Sequence, residues 1–118
     1  MADEDTIDPE AMAGLEALGG LELVRNMIDL FGANTPARLA AVKAGLESDD
    51  RQEARRAAHS MKSTAASMGA RRLAALAAQV EALLAAPGAT PDLTRAVGEL
   101  EREADRVAAR LGEIRAGT

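Results

Sequence analysis

The sequence predicts an all-α fold, an antiparallel four-helix bundle with a short additional helix at its N-terminus. Three observations carry this. Apolar residues make up 47% of the 118 positions, yet Phe31 is the only aromatic side chain. The core must therefore come from Leu, Ala, Val, Ile and Met, which helix packing tolerates well and sheets usually do not. Apolar positions also recur at alternating spacings of three and four through most of the chain, and short turn signals separate these runs.

Each element follows in order. Residues 1 to about 7 are expected to be a flexible tail, and residues 8–115 a single helical domain. Asp8-Pro9 supplies an N-cap followed by proline at the first helical position, opening a short helix to about Leu18 that Gly19-Gly20 ends. A longer helix over about Leu21 to Leu46 places Leu23, Met27, Leu30, Phe31, Leu39, Val42 and Leu46 as its apolar positions. Pro36 lies inside it, so a kink or break is expected near Asn34-Thr35. Ser48-Asp49-Asp50 forms a turn in which an aspartate caps the next helix.

That helix runs to about Met68, where Gly69 breaks it. A fourth segment, Ala70 to about Ala86, spaces Leu73, Leu76, Val80 and Leu83 along one face. PGATP is a loop, with Thr90 capping and Pro91 at the first helical position. The last helix, to about Arg115, sustains a stripe of Leu93, Val97, Leu100, Ala104, Val107, Leu111 and Ile114.

Composition narrows the function. There is no cysteine and one histidine, so disulfides, thiolate metal sites and multi-histidine metal sites are excluded. The acidic start MADEDTIDPE has no apolar run behind it, and LAALAAQVEALLAA, interrupted by Gln79 and Glu81, is too short to span a bilayer. A cytoplasmic protein without a membrane or nucleic-acid partner is expected, the net charge of −5 and the scarcity of aromatics opposing the latter. Charge is uneven, however. Between Arg51 and Arg72 stand six basic residues (Arg51, Arg55, Arg56, Lys62, Arg71, Arg72) against the single acidic Glu53. This cluster is either an ordinary solvated face or a docking surface, and it brackets the only histidine.

Helical geometry assigns the faces of the third helix. Ala54, Ala57, Ala58, Met61, Ala65 and Met68 share one sector, which must be buried, and His59 lies roughly 150° from its middle. The ring should face solvent. Its helical neighbours include Arg55, Arg56, Lys62 and Ser63, with the small residues Ala66 and Ser67 further on. An incidental surface histidine is the plain alternative. An accessible imidazole beside an ammonium group is nevertheless poorly suited to a metal and well suited to holding a transferred anion such as a phosphoryl group.

His59-x-x-Lys62-Ser63, with Gly69-Ala70 ten and eleven residues after the histidine, resembles the active-site helix of histidine-containing phosphotransfer (Hpt) domains. Those domains carry phosphoryl groups in multistep phosphorelays, and their usual pattern reads A-H-x-x-K-G/S-x-x-x-x-x-G. Upstream, ELVRNMIDLFGANTPARLAAVKAGLESDD is similar to the family's preceding helix, and LAALAAQVEALL to the helix beside the histidine. The resemblance spans about residues 8 to 115.

It implies that His59 is the phosphoacceptor, attacking through Nε2, and that Lys62 steadies the phosphoryl oxygens. Ser63 stands where the family often has glycine and should still let a partner approach, with Arg55, Arg56, Ala66 and Ser67 around it. Gly69 would end the active helix. Glu81 would hydrogen-bond the ring's Nδ1; it lies roughly 110° from its helix's apolar stripe, a flank within reach of the neighbouring helix. An ordinary surface glutamate is the alternative there. The implied protein is a monomeric phosphocarrier without kinase activity or a cofactor of its own. It would accept phosphate from a receiver aspartate or a sensor histidine kinase and pass it to a response-regulator receiver, which would bring Mg²⁺. Competing readings are a bundle that docks such partners without accepting phosphate, a homodimeric bundle, and an enzyme using His59 as general base. Met1 and the loose ends favour a stand-alone carrier.

Overall fold

The computed structural model describes residues 6–48, 50–86 and 90–118. Among these residues four helices make up the fold: α1 (Pro9–Ser48), α2 (Arg51–Ser67), α3 (Arg71–Ala85) and α4 (Pro91–Ala116). They pack in chain order, each against the next, and α4 closes the bundle against α1.

The expected short helix and the long helix that follows form one element with a break. Gly19 and Gly20 leave helical geometry, and Gly20 takes φ 72°, a conformation costly for any residue with a Cβ. The break is required by length. A straight helix of 40 residues would be roughly 60 Å long at 1.5 Å per residue, whereas the molecule extends only 44 Å along its longest axis. Residues 21–48 fill that axis, and residues 9–18 fold across the end of the bundle.

Pro36 does not break α1, since no residue near it departs from helical φ/ψ. Phe31, Thr35, Leu39 and Val42 are buried on both sides of it, and this packing holds the helix through the lost hydrogen bond. The buried stripe of the long arm also differs from the expected one. It runs Val24, Ile28, Phe31, Thr35, Leu39, Val42, a continuous 4-3-4-4-3 spacing, and Leu30 is exposed. Leu23, Met27 and Leu46 flank this face half-buried.

Caps follow the expected residues. Asp8 Oδ1 accepts from Glu10 N at 3.0 Å, Asp50 from Glu53 N at 3.2 Å, and Thr90 Oγ1 from Leu93 N at 3.1 Å. The expected tail at residues 1–5, Asp49 of the turn and residues 87–89 of the PGATP loop lie outside the described residues. Thr6 and Ile7, however, are buried, Ile7 within the core, so the tail reading fails for these two positions. In α2 every residue of the predicted stripe is buried. In α3, Ala77 and Leu84 complete the core and Leu83 stands at its edge. Glu103 of α4 is a buried carboxylate, with Arg72 and Arg106 each 3.5 Å from its Oε1.

Candidate functional site

The turn between α2 and α3 decides what can meet across them. Gly69, at φ 78°, lets its own N–H bond to Ala66 O at 3.2 Å and that of Ala70 to Ala65 O at 2.9 Å, the paired bonds of a Schellman ending. The N-terminal arm docks there too, Asp8 N donating to Gly69 O at 2.9 Å. A Cβ on Gly69 would stand 2.5 Å from Ala11 Cβ. In an antiparallel pair, residues equally far from the turn lie side by side. His59 and Glu81 are each eleven positions from Ala70, one on either side.

The structure brings them together. Glu81 Oε2 lies 2.9 Å from His59 Nδ1, and its other oxygen, Oε1, accepts from Lys62 Nζ at 2.8 Å. One carboxylate thus bridges the histidine and the lysine one turn beyond it. Its hydrogen bond from Lys62 holds the Glu81 carboxyl below the usual glutamate range, partial burial opposes this, and the His59 contact lowers it further. An ionised carboxylate can only accept, so the nitrogen facing it must carry the proton. In the neutral ring that leaves the lone pair on Nε2, and 59% of the side chain is open to solvent.

Beside the ring is a shallow depression of about 560 Å³ lined by Gln52, Arg55, Arg56, His59, Ser60 and Glu81. Arg55 and Arg56 therefore meet His59 on one side. Ser63, Ala66 and Ser67 are exposed further along α2 and are not part of the depression; the Ser67 hydroxyl turns back to Ser63 O at 3.1 Å. Gln52 and Ser60 were not singled out from sequence. Gln52 lies seven residues before His59, two helical turns on the same face, and that spacing was the available signal.

The basic stretch is less free than its count implies. Arg51 donates to the carbonyls of Leu83, Leu84 and Ala86 and so caps the end of α3. Arg71 pairs with Asp8, Arg72 with Glu103, and Lys62 with Glu81. Arg56 has a loose contact with Glu53 at 3.7 Å. Arg55 makes no ion pair among the described residues, so the net positive character at the ring rests on these two arginines. Among the described residues no cluster of three or more His, Asp or Glu side chains could hold a metal ion, and no helix is long and apolar enough to cross a membrane.

No curated protein sequence matches the chain. Its fold matches the crystal structure of histidine-containing phosphotransfer protein B (HptB) from Pseudomonas aeruginosa PAO1 with a TM-score of 0.87 and 26% sequence identity, covering 96% of each chain. The family model that fits the sequence is that of the Hpt domain, over residues 26–110, a span that holds His59, Lys62 and Glu81 together with most of all four helices. By that match the chain belongs to the Hpt domain family.

Proposed function

We propose that the protein is a histidine phosphocarrier of a two-component phosphorelay. His59 accepts a phosphoryl group from a receiver aspartate or a histidine kinase and gives it to a receiver aspartate. The observation that carries this is the 2.9 Å contact of Nδ1 with Glu81, which leaves Nε2 as an exposed nucleophile.

The chemistry balances with these groups. The Nε2 lone pair attacks phosphorus as the bond from phosphorus to the donor's carboxylate oxygen (or donor imidazole nitrogen) breaks, and that group leaves with the electron pair. The ring keeps its Nδ1 proton and becomes cationic, with the Glu81 carboxylate facing the new charge. Lys62 has three N–H donors and spends one on Glu81, so the others are available to phosphoryl oxygens. Transfer onward is the reverse. The receiver brings Mg²⁺ and most of the catalysis, and the chain needs no kinase activity. Arg55 and Arg56 favour approach to a receiver's acidic pocket, mainly through the association rate. The open, small-residue surface at Ser63, Ala66 and Ser67 gives the partner room, and the cytoplasm, where receivers and kinase catalytic domains work, is the proposed location.

The test is phosphorylation by a small phosphoramidate and by a phosphorylated receiver domain, scored as acid-labile, alkali-stable phosphate. The wild type should label and His59→Gln should not. Because the ring is exposed, the variant should melt within about 3 °C of wild type, as a surface substitution of about 0.5 kcal/mol would. A folded wild type that stays unlabelled would overturn the carrier reading and favour a docking bundle.

A further inference from the structure

The seam between α1 and α4 is the least closely packed of the four, and it lies across the bundle from the His59–Glu81 bridge. Along it runs an open crevice. Its main chamber holds about 330 Å³ between Phe31, Thr35 and Leu39 of α1 and Ala104 and Ala108 of α4. A second depression of about 320 Å³ shares Phe31, Gly32 and Ala108 with the first and ends at Asp29 and Arg115. The walls are mostly apolar or small, and a Cβ placed on Gly32 would meet nothing within 4 Å.

Three polar groups that can accept a hydrogen bond border this crevice. Thr35 is only 7% exposed, and its hydroxyl makes no hydrogen bond among the described residues. The hydroxyls of Ser48 and Ser67, also on helices, each bond back to the carbonyl four residues earlier. The Thr35 oxygen opens onto the crevice and is not sealed from solvent, so a donor entering there would take the place of water. Pro36 has no N–H, so the Gly32 carbonyl loses its helical donor. On the α4 wall, Asp105 forms no ion pair among the described residues. The other charges at the rim are matched, Lys43 with Glu101 and Asp29 with Arg115, so Asp105 sets the sign of the opening.

These acceptors are open to the crevice and border its apolar floor. We propose that this crevice is a binding site for a small amphiphilic cation, an alkyl or aryl body carrying an ammonium head. The body would lie against Phe31 and Leu39, and the head would donate to Thr35 Oγ1, the Gly32 carbonyl and the Asp105 carboxylate. This site is separate from the phosphoryl chemistry and does not depend on it.

The experiment is an NMR titration of the ¹⁵N-labelled full chain at neutral pH with hexylammonium chloride, set against sodium hexanoate. Hexylammonium should give saturable shifts at the amides of Gly32, Thr35, Ala104 and Ala108, and hexanoate less than about a fifth of them. Asp105→Asn should raise the apparent Kd at least about threefold, the weakening expected from loss of a charge-assisted contact near the surface. Gly32→Leu fills the open space and should abolish saturation; Ala108→Leu does the same from the other wall if the first variant loses its helical circular dichroism. Absence of saturable shifts, equal shifts from hexanoate, an unchanged Kd in Asp105→Asn, or undiminished binding in a folded filled variant would each overturn the proposal.

Discussion

At the scale of single residues, the site depends on one carboxylate serving two donors. Glu81 gives Oε2 to the ring and Oε1 to Lys62, so its charge and its geometry can be separated by substitution. Glu81→Gln keeps an acceptor oxygen for Nδ1–H and loses the charge that holds the lysine. Glu81→Ala loses both. The imidazole ¹⁵N shifts of Glu81→Ala should move toward a mixture of tautomers while those of Glu81→Gln stay near wild type. Phosphoryl transfer in the alanine variant should slow about fivefold, the effect of losing roughly 1 kcal/mol from a partly exposed charge-assisted contact. Unchanged ring shifts in the alanine variant would show that Glu81 does not set the tautomer. Much of this geometry was legible in the sequence. Steps of 100° put His59 on the open face and Glu81 on a flank of its own helix, and the family resemblance supplies their pairing. Arg51 was not legible, because its partners are backbone carbonyls at the end of another helix, and a count of charges treats it as free.

At the scale of elements, Gly19-Gly20 and Gly69 interrupt the helical run and Pro36 does not. Gly69 carries three demands at once: a left-handed backbone, the helix-ending hydrogen bonds and the close approach of Ala11. Gly69→Ala should therefore cost about 2–3 kcal/mol, strain and displacement of the N-terminal arm together, and lower the melting temperature by roughly 10 °C. A thermal melt within a degree or two of wild type would show that the arm is not held there. The helix ends at Asp50, Gly69 and Thr90 were legible because capping is a local chemistry written in a few adjacent residues. Pro36 misled for the complementary reason: the cost of its missing hydrogen bond is local, and the packing of Phe31, Thr35 and Leu39 that outweighs it comes from the rest of the bundle.

At the scale of the whole molecule, acid should unfold the bundle in a definite direction. Among the described residues two carboxyls titrate below their ordinary values: Glu81, chiefly through Lys62, and Asp29, through Arg115, whose guanidinium is correspondingly raised. The unfolded chain takes up these protons first as pH falls, so the stability they contribute is complete above the usual carboxylate range and is lost as pH drops through their lowered folded values. Melting temperature should be flat from neutral pH down to that range and then decline, with Glu81→Gln losing part of the decline. A melting temperature that rises on acidification would contradict the assignment. The equal placement of His59 and Glu81 about Ala70 has a kinetic consequence as well. The bridge is a contact within one helical hairpin, residues 51–85, closed by a three-residue connection, whereas the α1–α4 seam joins segments at opposite ends of the chain. Loop closure for the hairpin is short and fast, and its contacts need not wait for the distant pairing. The His59 ring can therefore be in place early as the chain folds, and it can stay in place while the far side of the bundle transiently opens.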